Sequence, residues 1–189
     1  MPSYSIIDNF EIHKNNRFLE IAESLKPELH HKEIKAAKEI MVGKDRQMRT
    51  VVTEEHPIEN LYAKSLKRDD TVFVDFGDHA VGYVTLELSK TGSHQDAPVY
   101  FYLKFGERLE EMTDKTADYD GWLSRGWIQE EYIHVDVLPA KVKLPRRYSF
   151  RYMELRVIDT SAKFQLKVDG ISCDTVSAVD MDSVETIDF

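Results

Sequence analysis

The chain has 189 residues and a formal net charge of −9, from 34 acidic and 25 basic side chains. This length fits one domain with a hydrophobic core of its own. Nucleic acids and anionic membranes bind clustered Lys and Arg, so the acidic composition predicts neither kind of partner. The single cysteine, Cys173, excludes an intramolecular disulfide and a metal site built from several cysteines.

The first residues, MPSYSIIDNFEIHKNN, contain no basic segment followed by an apolar core, which is the pattern of a secretion signal. No apolar run approaches the roughly 20 residues that span a bilayer. The sequence as it stands therefore predicts a cytoplasmic location. If a signal segment was removed from its N-terminus, the expected location is extracytoplasmic.

Residues 1–57 have the texture of a variable lead-in, rich in Lys, Glu and His and without the two-residue alternation of strands. Between Phe18 and Leu25 the apolar residues have helical spacing, and Pro27 would end such a helix. The stretch His31–Val42, HKEIKAAKEIMV, is compatible with either an amphipathic helix or an extended segment.

From Thr71 onward, apolar and β-branched residues alternate with polar ones, and Gly, Pro and Asp separate the runs. About seven such strands without amphipathic helices between them predict an all-β fold. We expect an antiparallel, jelly-roll-like β-sandwich over residues 58–180, preceded by the partly helical lead-in and followed by an acidic tail, residues 181–189. The predicted strands begin near Val72, Tyr83, Val99, Ile128, Tyr148, Leu155 and Phe164.

The first of these strands is expected to end at Gly77. The polar residues that follow, Asp78 and His79, predict a turn that returns the chain into a partner strand starting near Val81. The tripeptide Asp-Phe-Gly at this point also occurs in protein kinases, but the other kinase motifs are missing.

Several carboxylates could in principle form the acid and base pair of a glycosidase. A chain with 34 acidic residues contains such pairs by chance, and the adjacent Glu130 and Glu131 must point to opposite faces of a strand. The sequence therefore favours solvated or structural roles for these groups. The other acids considered are Glu107, Glu110 and Glu111.

Candidate metal ligands are scattered. Asp114, Asp118 and Asp120 could form a loose oxygen site for calcium, yet they lack the spacing and the final Glu of an EF-hand loop. The seven histidines include no pair four residues apart that would suit a zinc site on a helix. The sequence thus predicts no cofactor, with calcium as the one alternative.

Large aromatic side chains gather in the segment YDGWLSRGW, where two glycines predict a loop. Exposed rings in a loop usually have something that covers them. Three interpretations are open for Tyr119, Trp122 and Trp127: the rings cap the sandwich core, dock a neighbouring domain, or stack on sugar.

Four strings of the chain resemble the β-sandwich domain that precedes the catalytic domain in bacterial α-L-rhamnosidase-like glycoside hydrolases: VFVDFGDHAVGYVTLEL, LKFGE, YDGWLSRGWIQEEYIHVDVLPA and LPRRYSFRYMELRVIDTS. The resemblance covers about residues 58–180. It depends on the Phe-Gly turn, the strand that ends in KFGE and the aromatic, acidic strand taken together.

In that family, hydrolysis takes place in an (α/α)6 helical barrel that follows the sandwich. The resemblance therefore implies that this chain, which ends at Phe189, contains no catalytic residue and is a structural or substrate-positioning module. It leaves open whether the chain itself has any enzymatic activity. Related sandwich modules bind rhamnose, in some cases with calcium, or only brace the barrel.

The partner that the resemblance implies is thus either a catalytic barrel domain or a rhamnose-containing glycan. In the second case the chain would be an autonomous carbohydrate-binding module. Both partners would meet the same surface, where aromatic rings stack or dock and nearby polar groups form hydrogen bonds. The residues of this predicted site are Tyr119, Trp122, Trp127, Glu130, Glu131 and His134.

Overall fold

A computed structural model describes residues 14–184 of the chain. In this part of the chain, nine antiparallel strands form one continuous sheet, and a long strand divides it into two parts, which we call the two sheets. This arrangement is consistent with the predicted all-β sandwich and confirms the fold class. The described residues also form two short α-helices, and neither is long and apolar enough to cross a membrane. Of the predicted acidic tail, residues 181–189, the last five residues lie outside the described part of the chain.

Helix α1, Asn16–Ser24, lies where the spacing of apolar residues predicts a helix, and it ends before Pro27. The side chain of Asn15 caps it by accepting from the backbone N–H groups of Arg17 and Phe18, at 3.1 and 3.4 Å. No side chain of α1 is buried. The helix therefore contributes nothing to the core.

The stretch His31–Val42 is extended. Strand β1, His30–Lys35, pairs with the last strand of the chain, and β2, Lys38–Lys44, pairs with both β3, Thr50–Pro57, and the long strand β4, Thr71–Gly92. Strand β1 lies at the edge of its sheet, and most of its side chains are exposed. Charged residues such as Lys and Glu are typical of edge strands, which explains why β1 does not alternate between apolar and polar residues. Three strands thus precede the domain boundary expected after residue 57, and that boundary stays a prediction.

Strand β4 is continuous from Thr71 to Gly92, so the turn predicted at Gly77 is wrong. Its first part pairs with β2 and with β8, Tyr148–Asp159, and its second part pairs with β9, Phe164–Ser177. The strand bulges after Asp75, and Gly77 has a φ of +88°, in the left-handed region that favours glycine. The chain therefore passes from one sheet into the other without forming a hairpin.

The remaining elements are α2, Glu59–Ala63, β5, Val99–Gly106, β6, Glu130–Val135, and β7, Ala140–Lys143. The first sheet has the order β3-β2-β4-β8-β5-β6, and the second has the order β1-β9-β4-β7, with β4 common to both. Strand β6, predicted to begin near Ile128, begins at Glu130. A last 3-10 turn, Met181–Ser183, follows β9.

The core lies between the two sheets. Tyr148 and Phe150 point into it from β8, and the ring of Phe150 meets those of Phe76 and Phe105 at an angle, with centroids 4.9 and 5.0 Å apart. Burying one such ring stabilises the fold by about 2–3 kcal/mol. Other fully buried side chains include Leu61, Leu86, Phe101, Leu103, Leu155 and Leu166.

An ion pair between a buried aspartate and a partly exposed arginine fixes the bulge of β4. Asp75 is only 4% exposed; it accepts two hydrogen bonds of 2.9 Å from the guanidinium of Arg151 on β8 and one of 2.7 Å from the N–H of Gly77. Burial raises the pKa of the Asp75 carboxyl, but the hydrogen bonds outweigh burial and hold it below the ordinary 3.8. The bulge and its neighbouring strand are thus joined by a bidentate contact.

Replacing Asp75 by Asn is expected to lower the free energy of unfolding by about 2–3 kcal/mol, because the Arg151 guanidinium loses its anionic acceptor. Chemical denaturation measures this. The matched control is Glu87→Gln, which breaks an exposed ion pair with Lys141 and should cost less than about 0.5 kcal/mol. Equal losses in the two variants would show that the buried pair does not fix the bulge.

The pair also predicts how stability changes in acid. Because the folded-state pKa of Asp75 lies below the ordinary 3.8, its contribution is complete above that pH and is lost as the pH falls through the lower folded-state value. Below about pH 4 the stability of Asp75→Asn should therefore fall less steeply than that of the parent chain. Parallel curves for the two proteins would contradict this.

Gly82 lies where β4 has β8 on one side and β9 on the other. A Cβ at this position would come within 2.2 Å of the backbone oxygen of Asp174. Gly82→Ala is therefore expected to cost about 3 kcal/mol in denaturation experiments. Gly126→Ala is the control, since its Cβ would lie 3.4 Å from the nearest atom, and a Gly82→Ala chain as stable as this control would argue against the close approach.

Candidate functional site

The connection between β5 and β6 is much longer than a hairpin needs, although the two strands are antiparallel neighbours. We refer to these residues, 107–129, as the aromatic loop. Its regular structure consists of three short 3-10 turns, Leu109–Met112, Thr116–Asp118 and Arg125–Trp127. Loops of this length in a compact domain usually carry function.

Two polar side chains hold the aromatic loop against the sheet face opposite the core. Lys104 on β5 is only 5% exposed and donates to the backbone oxygen of Asp114 at 2.5 Å. Glu130 on β6 accepts from the hydroxyls of Thr116 and Tyr102, the latter at 2.6 Å. Burial and the Glu130 carboxylate raise the pKa of Tyr102, so its phenol stays a donor. The loop is thus held by charge-assisted hydrogen bonds.

A cleft of about 650 Å³ opens between the aromatic loop and the end of β5. Its volume lies within the range of small-molecule sites, and its lining combines rings with a few polar groups, as such sites do. The cleft can therefore hold a small molecule or part of a partner. The lining includes Lys115, Asp118, Tyr119, Leu123, Trp127 and Gln129.

Trp122 and Trp127 are 89% and 75% exposed, so the interpretation that they cap the sandwich core is wrong. Near this end of β5 the core contains Phe105 and Tyr148, whose rings stack with centroids 4.3 Å apart. Of the six residues of the predicted site, the structure brings Tyr119 and Trp127 to the cleft, and Trp122 lies on the same loop outside it. Docking and sugar stacking both stay open.

The polar residues of the predicted site lie in three different places. Glu130 lies beneath the aromatic loop. Glu131 points to the opposite face, where it accepts from the hydroxyl of Tyr148 at 2.6 Å. His134 lies four residues beyond Glu130, about 13 Å along the strand, and its ring stacks on Tyr100 with centroids 4.0 Å apart. The structure thus does not assemble these three side chains into one site.

The acids of the aromatic loop do not form a metal centre. Asp114, Asp118 and Asp120, which the sequence suggests for calcium, are not part of a cluster of possible ligands. Among residues 14–184 there is no group of three or more His, Cys, Asp or Glu side chains that could hold a metal ion. The expectation that the protein needs no cofactor stays a prediction.

One surface cluster has the residue types of a hydrolase triad. The Ser149 hydroxyl lies 3.0 Å from Nε2 of His79 and donates to Oε1 of Glu107 at 2.6 Å. This hydrogen bond, with a further one from His79, lowers the pKa of the Glu107 carboxyl. Both partners of His79 lie at the same ring nitrogen. The imidazole is therefore not placed between carboxylate and hydroxyl, as activation of a serine nucleophile requires.

Sequence reasoning missed two side chains that shape the cleft, Lys104 and Gln129. Lys104 interrupts the apolar string VYFYLKFG, and a charge inside such a strand could have indicated a polar anchor on its outer face. Gln129 exchanges hydrogen bonds with the backbone N–H and oxygen of Ser149, at 2.7 and 2.8 Å. No local pattern marks that contact, because Ser149 lies on another strand.

Comparisons with known proteins place these features in a family. The sequence model of the family described as "Glycosyl hydrolase family 78 alpha-rhamnosidase N-terminal domain" matches residues 37–175. Among curated protein sequences, no relative matches the chain.

Two solved structures are similar to the chain. The rhamnosidase from Klebsiella oxytoca with rhamnose bound has a TM-score of 0.83 and 34% identity, over 88% of this chain and 33% of that one. The GH78 family rhamnosidase of Bacillus sp. GL1 has a TM-score of 0.42 and 17% identity, over 58% of this chain and 10% of that one. This chain thus spans about a third of the length of the Klebsiella oxytoca enzyme.

The family match covers most of the chain and includes the bulged strand β4, the aromatic loop and β8. It agrees with the resemblance found in the sequence alone. The chain therefore belongs to the family of N-terminal domains of glycosyl hydrolase family 78 alpha-rhamnosidases.

Proposed function

We propose that the chain is a non-catalytic module that docks on the catalytic domain of a rhamnosidase through its aromatic loop. The observation that carries this proposal is the exposure of Trp122 and Trp127 on one loop. Trp is enriched at the energetic centres of interfaces, because burying its large ring removes much apolar surface from water. The similarity to an enzyme about three times as long supports a partner domain.

The anchoring of the aromatic loop also favours docking. A surface that is ordered before binding loses little conformational freedom when a partner covers it. Lys104 and Glu130 hold the loop from the sheet side, which leaves the rings of Trp122 and Trp127 on the outward side. The barrel domain expected from the family resemblance is the occupant that we propose for this face.

The cleft beside the loop favours a second candidate function, the binding of a rhamnose-containing glycan. The rings of Tyr119 and Trp127 offer apolar faces, and Asp118 and Gln129 offer hydrogen-bonding groups. We propose that Asp118 and Gln129 form the hydrogen bonds to sugar for which the sequence suggested Glu130 and Glu131. Neither Glu131 nor His134 lines the cleft.

Replacing both Trp122 and Trp127 by Ala is expected to weaken binding to the catalytic domain of the same enzyme by about 1000-fold, because each Trp at an interface centre is worth roughly 2 kcal/mol and every 1.4 kcal/mol is tenfold. Isothermal titration calorimetry with the separately prepared domains measures this. The free energy of unfolding should change by less than about 0.5 kcal/mol, since both rings are exposed.

The matched control for docking is Val137→Ala, which removes an exposed apolar side chain outside the aromatic loop. It should leave the affinity unchanged. Undiminished affinity in the double Trp variant, together with native stability, would exclude the aromatic loop as the docking face.

The second candidate is tested by an NMR titration with L-rhamnose and a short rhamnoside. The indole signal of Trp127 should shift saturably and that of Trp122 should move little, because only Trp127 lines the cleft. Trp127→Ala should then abolish the shifts of the loop amides, whereas Trp122→Ala should preserve them. Indole signals that stay in place throughout would exclude the cleft as a sugar site.

A further inference from the structure

The hairpin formed by β2 and β3 ends in a tight turn, residues 45–49, which we call the hairpin tip. The backbone N–H of Asp45 donates to the oxygen of Arg49 at 2.9 Å, and that of Met48 donates to the oxygen of Asp45 at 3.0 Å. The Asp45 carboxylate accepts from the backbone N–H groups of Gln47 and Arg49, at 2.8 and 2.9 Å. The hairpin tip is therefore an ordered turn held by its own hydrogen bonds.

Met48 occupies the position of this turn where glycine is usual. Its φ is +61°, and the last residue of a three-residue hairpin loop is normally a glycine, because a side chain is disfavoured in this conformation. The Met48 side chain is also 73% exposed. The turn thus places an apolar group in water at a strained position. Strain that the fold does not require is typical of functional sites.

Asp69 offers a comparison within the same chain. Among the described residues it is the other non-glycine residue with a positive φ, at +70°. Aspartate tolerates this conformation better than most residues, since its short polar side chain forms local hydrogen bonds. Met has no such compensation. Met48 is therefore the residue of the two whose side chain the fold itself does not explain.

The hairpin is also attached to the aromatic loop. Thr50, just after the hairpin tip, is buried, and its hydroxyl lies 3.2 Å from that of Thr113 on the loop. Lys44, just before the tip, donates to the hydroxyls of Thr50 and Thr113 at 2.6 and 3.4 Å. Thr113 adjoins Asp114, the residue that Lys104 holds. The hairpin tip is thus continuous with the surface that we propose for docking.

Charge restricts what covers the hairpin tip. Arg46 and Lys44 are exposed, whereas Asp45 is already paired with the guanidinium of Arg49 at 2.8 Å, so the tip is basic. A symmetric dimer through this face would bring two basic tips together. An anionic membrane would be repelled by the rest of the chain, whose net charge is −9. A protein surface with an apolar pocket and acidic groups beside it fits the tip best.

We propose that Met48 inserts into an apolar pocket, bordered by acidic side chains, on the catalytic domain of a rhamnosidase. The hairpin tip and the aromatic loop then dock on that domain together. This inference rests on the proposed docking function and adds a second contact to it. Methionine suits such a pocket, because its unbranched and polarisable side chain adapts to irregular apolar surfaces.

Met48→Gly separates docking from stability. Glycine relieves the backbone strain, so the variant should unfold at a denaturant concentration no lower than that of the parent chain. It should nevertheless bind the separately prepared catalytic domain about tenfold more weakly in isothermal titration calorimetry, because a Met side chain buried on docking is lost. Met48→Leu keeps an apolar side chain of similar volume and should retain nearly the full affinity.

Asp69→Gly is the matched control, since it also removes a side chain at a positive φ. The N–H of Asp69 donates to the oxygen of Val157, which pairs with Phe101 near the start of β5, whereas the aromatic loop follows the end of β5. Asp69→Gly should therefore leave the affinity for the catalytic domain unchanged.

A fluorescent label tests the contact directly. The single cysteine, Cys173, is buried, so Met48→Cys provides one accessible thiol for an environment-sensitive fluorophore. Its emission should shift to shorter wavelength when the catalytic domain is added, because the label enters an apolar pocket. The same label on Asp69→Cys should not respond.

The results separate this inference from the proposed function. Unchanged affinity in Met48→Gly would overturn the inference, whereas the aromatic loop would stay the docking face if the double Trp variant binds weakly. Loss of affinity in Met48→Gly alone would support the hairpin tip and exclude the loop. A parent chain that does not bind the catalytic domain would overturn both. Binding to phosphatidylserine and phosphatidylcholine vesicles that is lost in Met48→Gly would also overturn the inference, since the occupant would be a membrane.

Discussion

The two-sheet architecture depends on the ion pair between Asp75 and Arg151. Strand β4 is 22 residues long, and its two parts pair with different strands. The bulge after Asp75 redirects it, so that apolar residues from both of its parts reach the same core. Gly77 supplies the backbone conformation, Gly82 allows β9 to approach, and the Arg151 guanidinium holds the geometry. The rest of the packing follows from this change of direction.

Charged side chains also hold the aromatic loop, on the sheet face that points away from the core. Near the end of β5, the buried Lys104 donates a hydrogen bond to the backbone oxygen of Asp114. At the start of β6, Glu130 accepts one from the hydroxyl of Thr116. Asp114 and Thr116, two residues apart in the first half of the loop, are thereby tied to the sheet by charged groups. Large rings can then project outward without collapsing onto the core. The exposed rings of Trp122 and Trp127 therefore stay available to a partner.

Sequence reasoning succeeded where burial alone dictates the pattern. The alternation of Phe164, Leu166 and Val168 marks β9 because every second side chain meets the core. It failed at Gly77, since glycine followed by polar residues is equally typical of a turn and of a bulge, and the partner strands that decide between them are distant in sequence. The site was found only in part for the same reason: the sequence locates aromatic rings in a loop but not the strand face beneath it.

Buried polar side chains mark three places where the regular sheet is interrupted or ends. Asp75 lies at the bulge of β4, Lys104 lies under the aromatic loop, and Glu39 lies where β2 leaves β4. Asp75 and Lys104 have partners within the domain that hold a fixed geometry, so their role is structural. Glu39 differs, because one oxygen binds Lys64 and the other has no donor in the described part of the chain. Since an unpaired buried oxygen costs about 1–3 kcal/mol, Glu39 stabilises the fold less than Asp75 does, whose two oxygens both accept hydrogen bonds from Arg151.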